Sequence, residues 1–274
     1  MPSDANGKWK PITFPNDPKA TRQMQEWMTE EGYSLFGIEH DFRGADLSGG
    51  DFTKAWFTRA VLVDVRLTGA IFYRADLLSA DLTGADLTGA DLVRANFDGV
   101  ALRSARLDSA DMTKASLQGV DASGASFRGT RIMGAYLFGV DMRGADLTNA
   151  ALFQNTFKIT VDEATIVQGL TGTAFGPITA FEGGLSRELA GSELEAWIAE
   201  RGGQVQVIPP KSMPNQPVVS EVVSISRRPS DLAAAGEHRR QEGKESEADY
   251  RNAHCGTLRR ILATFVRHFR WQCA

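Results

Sequence analysis

Residues 80–97 read Ala80-Asp-Leu-Thr-Gly-Ala-Asp-Leu-Thr-Gly-Ala-Asp-Leu-Val-Arg-Ala-Asn-Phe97, with a large apolar residue returning at every fifth position. Outward from this stretch the period holds from Phe42 to Phe157. Of 24 consecutive windows, 23 carry Leu, Phe, Met or Ile at the centre, and Ala122 is the exception. Two residues before each centre the side chain is small: Ala in 16 windows and Val in four, with His40, Gly50, Thr130 and Asn155 in the rest. An α-helix repeats its face at 3.6 residues and a strand at 2, so neither keeps a strict quintet on one side for this long. The chain must turn as it goes.

The runs of Ala-Asp-Leu-x-x resemble the pentapeptide-repeat family, whose pattern is A(D/N)LXX, and the resemblance covers residues 40–159. It implies an all-β solenoid, a right-handed quadrilateral β-helix with four pentapeptides per coil and about six coils. It also implies that each centre and the small residue before it point inward while the other three positions face solvent. Packing supports this independently, because a narrow interior accepts one bulky residue per side only where a small one makes room. At ~4.8 Å per stacked strand such a rod is roughly 29 Å long. Its two ends expose apolar interior and unpaired strand edges, so they need lids.

The flanks supply them. Asp17-Pro18 predicts a helix with Asp17 as N-cap, running to Glu31 before Gly32, with Met24, Trp27 and Met28 on one face; residues 1–39 are read as an N-terminal helical cap. Beyond Phe157 the quintet fails at Thr160 to Glu163. Ser192-Glu-Leu-Glu195 has a capping-box pattern, Gly202 ends the helix it starts, and Gln204 to Ile208 predicts a strand, so 160–208 reads as a C-terminal cap. A similar terminal element pairs two copies in some members of the family, which implies a homodimer through this cap. Pro209, Pro210, Pro214 and Pro217 open a linker over 209–257 that is polar, charged and expected to be disordered. In the tail, residues 258–274, Leu258, Ile261, Leu262, Phe265 and Phe269 recur at helical spacing among Arg259, Arg260, Arg267 and Arg270. This basic amphipathic helix is open to a partner groove, a membrane surface touched by residues 258–271, or nucleic acid; docking on its own protein or a partner is preferred.

Charge and composition exclude several classes. With 42% hydrophobic residues, 23% charged and a net charge of −4 over 274 residues, the chain buries a core and is not read as a direct nucleic-acid binder. Cys255 and Cys273 are its only cysteines, no secretory signal opens it and no apolar run nears ~20 residues, so a soluble, cytoplasmic protein is expected. The aspartates before the centres are read as wall residues facing water rather than catalytic acids, because a convex rod offers no pocket to perturb them. The four histidines are scattered, and no nucleophile-elbow, phosphate-loop or zinc-protease motif appears. Gly183-Gly184 and Gly202-Gly203 read as turns. A non-enzyme without cofactor or metal is expected.

With four windows per coil, residues 20 apart stack in columns and the sequence becomes a surface map. Residues 41–160 hold 14 Asp, no Glu and 13 Lys+Arg, giving −1. Acids and bases interleave on the first two sides, five to three and four to three. On the third side Lys54, Arg74, Arg94 and Lys114 form one column and Tyr73, Val93, Met133 and Phe153 lie in the column beside it. Stacked like charges about 5 Å apart repel by roughly 0.5–1 kcal/mol per neighbour in water, so something should offset them. Asp51, Asp91 and Asp111 in the same windows are one answer; an acidic or amphipathic protein partner is the other. Trp56, Leu78, Tyr136 and Phe138 on the fourth side form a second candidate surface. The expected function is a non-catalytic protein-interaction scaffold. The rival raised by the resemblance is a DNA-mimic that binds DNA gyrase and protects it from inhibitors, conferring antibiotic resistance or immunity, but it calls for continuous acidic columns that this charge map lacks.

Overall fold

The computed structural model describes residues 9–29 and 34–208, apart from the side chains of Thr156 and Phe157. The linker expected over 209–257 and the tail helix over 258–274, with its membrane contact, lie outside the described residues.

One quintet explains the rod. In Asp86-Leu87-Thr88-Gly89-Ala90, Leu87 donates its N–H to Arg106 O (2.7 Å) and Gly89 to Asp108 O (2.8 Å), both on the next coil. Asp86 donates to Val65 O on the previous coil (3.0 Å), and Ala90 closes a turn on Leu87 O (3.0 Å). Four of the five N–H groups are thus satisfied by backbone. The fifth, on Thr88, is accepted by the Asp86 carboxylate at 3.0 Å. A backbone donor needs a partner wherever water is scarce, which is why Asp or Asn stands before the centre. The same side-chain bond recurs from Asp41, Asp46, Asp51, Asp76, Asp81, Asp91, Asn96, Asp111, Asp121, Asp141 and Asp146. These carboxylates do line the wall, but mostly half-buried and bonded rather than bathed in solvent.

Residues 20 apart pair in parallel from Phe36↔Trp56 to Asp146↔Ile166, as four quintets per coil require. All centres from Phe42 to Leu152 are buried. So are the small positions from Ala45 to Asn155. Burying each Leu or Phe contributes about 1.5–3 kcal/mol. The two buried polar residues in the small column, Thr130 and Asn155, find partners inside. Thr130 Oγ1 donates to Leu107 O (2.7 Å), while Asn155 accepts Ala135 N–H (2.8 Å) and donates to Ile132 O (2.6 Å).

At the N-terminal end, helix α1 (Pro18–Thr29) starts where Asp17 accepts the N–H groups of Lys19 and Ala20 (3.2 Å each). Its Ala20 and Met24 join the core, and Trp27 stacks on Phe52 at 5.8 Å while Trp9 meets the same ring edge-on at 5.6 Å. Residues 12 and 13 bond antiparallel to Asp46 and cover the first edge of side two. Coiling already begins inside the segment read as cap: Leu35 is buried and Gly37 donates to Trp56 O.

The C-terminal end departs further from the sequence reading. Strands β1 (Arg131–Met133) and β2 (Tyr136–Asp141) stack on β3 (Ala151–Asp162). The ladder loses one residue between Lys158 and Ile159, where the offset drops from 20 to 19, and recovers it by Ile166. Parallel stacking then continues past residue 159: β4 (Thr171–Phe175) and β5 (Ile178–Glu182) both pair with β3. The solenoid outlasts its motif because Ile159, Val161, Val167 and Leu170 still fill the interior. Strand β6 (Leu185–Leu189) folds back antiparallel on β5 through Gly183-Gly184, both at positive φ as a two-residue hairpin needs.

Helix α2 (Gly191–Glu200) then lays Leu194, Trp197 and Ile198 over the apolar end formed by Leu147, Ile159, Val161, Val167, Leu170 and Ile178. Gly202 and Gly203 close it through N–H bonds to Ala199 O and Ile198 O. The capping box expected at Ser192 does not form. The N-cap is Ala190, without a side-chain bond, and Glu195 instead accepts the N–H of Val207 at 2.7 Å. That residue belongs to β7 (Gln204–Ile208), which pairs with β4. Among the described residues no helix is long and apolar enough to cross a membrane.

Candidate interaction surface

On sides one and two every cation has a carboxylate partner. Arg43 pairs with Asp41, Arg103 with Asp121 and Arg143 with Asp141 on side one. On side two Arg66 pairs with Asp46, Arg106 with Asp86 and Asp108, and Arg128 with Asp146. Such exposed pairs contribute little to stability. Their consequence is a surface whose charges cancel locally.

Side three is different. Lys54, Arg74, Arg94 and Lys114 are exposed, occupy one corner column, and form no ion pair among the described residues. All four hold left-handed backbone, φ 58–60°, at the third position of the turn, where glycine is conformationally cheapest. The offset expected from Asp51, Asp91 and Asp111 is not made. Asp51 accepts Thr53 N–H (2.9 Å) and Asp91 accepts Val93 N–H (3.0 Å). Asp111 accepts both the N–H and the hydroxyl of Thr113, and its outer oxygen faces Arg131 at 3.7 Å. The orphan turn donor lies two residues on and takes the carboxylate, whereas the cation stands at the corner one residue further.

The neighbouring column is less continuous than the four apolar residues suggest. Tyr73 and Val93 are half-buried beside Arg74 and Arg94, and the Arg74 guanidinium lies 5.4 Å from the Tyr73 ring centre. Thr113 interrupts the strip. Met133, half-buried, and Phe153, 46% exposed, follow beyond Lys114, beside Gly134 and Gln154. On side four Trp56 stacks with Phe36 (6.0 Å) and Tyr136 with Phe138 (6.0 Å), while Leu78 stands apart. Lys158 lies over Phe138 at 5.1 Å, and Arg59 pairs with Glu39. Columns were readable at a period of 20. Which cations lack partners was not, because Arg43 reaches two residues back, Arg103 eighteen on and Arg66 twenty back.

The carboxylates are tuned by the same bonds. The Arg143 guanidinium holds Asp141 below the usual aspartate value, and Arg43 does so for Asp41. For Asp86 and Asp121 burial works upward, but the hydroxyl and N–H of Thr88 and Ser123, with Arg106 and Arg103, outweigh it and the net shift is downward. Asp86→Ala is expected to cost about 1–2 kcal/mol, and Asp86→Asn less, because an amide oxygen still accepts, as Asn96 does for Asp98 N–H. A folded pKa below the ordinary 3.8 makes the Asp86 contribution complete above that pH and lost as pH falls through the folded value. Urea midpoints of wild type and Asp86→Ala should therefore differ by a constant amount from about pH 5 to 8 and draw closer below about pH 4, towards the difference between Asp86→Asn and Asp86→Ala.

The four-sided coil, its inward centres and its parallel ladder define the class, a right-handed quadrilateral β-helix solenoid. The family model of pentapeptide repeats matches eight copies between residues 38 and 152, so this region of the chain is a run of pentapeptide repeats. Among solved structures it is similar to HetL, a pentapeptide repeat protein involved in heterocyst differentiation regulation from the cyanobacterium Nostoc. That match has 24% identity, 56% of this chain, 84% of the other and a TM-score of 0.29. It is also similar to a pentapeptide repeat protein of the Arabidopsis thaliana thylakoid lumen, at 36% identity over 37% of this chain and 63% of that one, TM-score 0.19. A third is QnrB1, a plasmid-mediated fluoroquinolone resistance protein, at 15% identity, 61% and 92% coverage, TM-score 0.27. No curated protein sequence matches significantly.

Proposed function

We propose that this repeat scaffold is non-catalytic and that side three docks an acidic protein partner. One observation supports the reading above the rest: eight of the 13 cations in residues 41–160 have carboxylate partners, and of the five without an ion pair among the described residues all but Lys158 form a single column. Like charges held in a line attract a complementary partner and repel a wrong one, which favours rate and specificity of association over raw affinity. Partners captured by the wild-type chain should be lost on Arg74→Glu with Arg94→Glu and retained on Arg43→Glu, and capture should weaken as salt rises. Retention of every partner by the double variant would refute the assignment. The DNA-mimic rival needs unopposed carboxylate columns, whereas the aspartates here bind turn N–H groups and arginines. Purified protein is accordingly expected to leave gyrase supercoiling sensitive to a fluoroquinolone.

A further inference from the structure

We infer that the partner element received by side three is an α-helix lying along the rod axis with one carboxylate per turn. The inference rests on the docking reading above and specifies what docks.

Its basis is spacing. Lys54, Arg74, Arg94 and Lys114 are successive rungs of one parallel stack, so their Cα atoms advance by about 4.8 Å per coil and the column spans about 14 Å. Acidic residues at i, i+4, i+7 and i+11 of an α-helix span about 16 Å on one face, since each residue rises 1.5 Å. The mismatch is under 1 Å per cation, within the reach of Lys and Arg stems. An extended strand along the same axis presents one face every 6.6–6.8 Å and covers about 20 Å in three steps, so its outer carboxylates overrun the column by about 6 Å.

Width and charge across the side agree. From Asp91 to Arg94 the chain crosses the side in three residue steps, about 10 Å, the diameter of a helix with short side chains. The cations stand on one edge, Tyr73 and Val93 in the middle, and Asp51, Asp91 and Asp111 on the other edge. A helix acidic on one flank and apolar along its seam meets the cations and the apolar middle with their complements and keeps its own carboxylates off the aspartate edge. A nucleic-acid backbone broad enough to cover the side would press phosphates onto the aspartate edge, so a one-sided acidic helix fits this surface and a duplex does not. The left-handed φ of all four cations fixes where their side chains leave the corner, which keeps the column straight from coil to coil.

The test uses the full chain and labelled synthetic peptides of about 18 residues, followed by fluorescence anisotropy. One peptide is Ala-rich with Leu along a seam and Glu at i, i+4, i+7 and i+11. A second has the same composition with Glu dispersed around the helix, and a third has two central prolines that prevent helix formation. The one-faced peptide should bind at least about tenfold more tightly than either control. Arg74→Glu with Arg94→Glu should remove that advantage, and so should Arg74→Gly with Arg94→Gly, which keeps the left-handed turns without strain. Equal binding of all three peptides would overturn the helix while leaving acidic docking intact. Binding of none, or preference for a DNA duplex of equal charge, would overturn both. Circular dichroism of each variant checks that the rod is folded.

Discussion

Gly172→Ala is expected to destabilise the protein by more than about 3 kcal/mol and to open its C-terminal end. Gly172 sits opposite Leu152 in the β3–β4 ladder with φ +120°, a conformation that L side chains rarely adopt. A methyl group there would lie 1.6 Å from Leu152 O and 2.7 Å from its carbonyl carbon. Both are backbone atoms of a buried rung, so no rotamer change relieves the clash and the two strands must separate. Strand β4 also carries β7, and β7 holds α2 through Glu195 and Val207, so the lid loses its anchorage with the rung. Gly89→Ala is the control. It too has positive φ, +66°, but an added methyl meets nothing within 4 Å. Only the left-handed strain remains, about 1–2 kcal/mol. Urea unfolding of the two variants separates the effects, and equal midpoints would show that the Leu152 contact yields more easily than its geometry allows.

Gly172 also shows where sequence reading stops. The quintet made the rod legible because five is incompatible with either helical or strand alternation, and the centres from Phe42 to Leu152 are all buried. At the two ends the pattern inverts. Leu35 and Leu170 occupy the position that is small elsewhere, and Gly37 and Gly172 stand where a Leu or Phe is expected. The interior needs a constant volume per side, not a fixed order of large and small, so the coil continues while the motif vanishes. A Cβ on Gly37 would lie 2.8 Å from the Phe42 ring and 2.9 Å from that of Phe57, so the large neighbours have taken its space. The start of α2 was misplaced for a different reason: Ser192 to Glu195 has capping chemistry, but a tertiary donor, Val207, claimed the glutamate. The role of the aspartates was legible in principle, since counting donors per quintet leaves one N–H without a partner.

The cations mark a further limit. Their columns follow from the period alone, yet the distinction between Arg66, paired across one coil, and Arg74, without an ion pair among the described residues, depends on the residue one coil below. Beneath Arg66 stands Asp46, whereas beneath Arg74 stands Lys54. A column that holds one residue class over four coils cannot neutralise itself. That is a property of stacking rather than of any single window, and it is the reason for proposing side three as the docking face.

Phe57→Ala should remove about 3–5 kcal/mol from the first coils and little from the rest. Phe57 is fully buried and its ring lies 5.2 Å from Phe42, 5.7 Å from Phe52 and 5.8 Å from Phe72. Phe52 in turn carries the rings of Trp9 and Trp27, so the cavity lies directly beneath the aromatic lid. In a solenoid each coil contacts only its neighbours, and stability is approximately a sum of coil and interface terms. The loss should therefore stay local. Hydrogen exchange is expected to show amides of residues 37–62 and helix α1 losing protection while those of 102–147 keep theirs, because the distal coils retain every contact they had. Leu102→Ala places a smaller cavity in the middle and should lower protection on both sides of it. A uniform loss across the rod from Phe57→Ala would mean that all the coils unfold together, and the terminal lids would then be integral to one cooperative unit rather than closures on an otherwise self-sufficient stack.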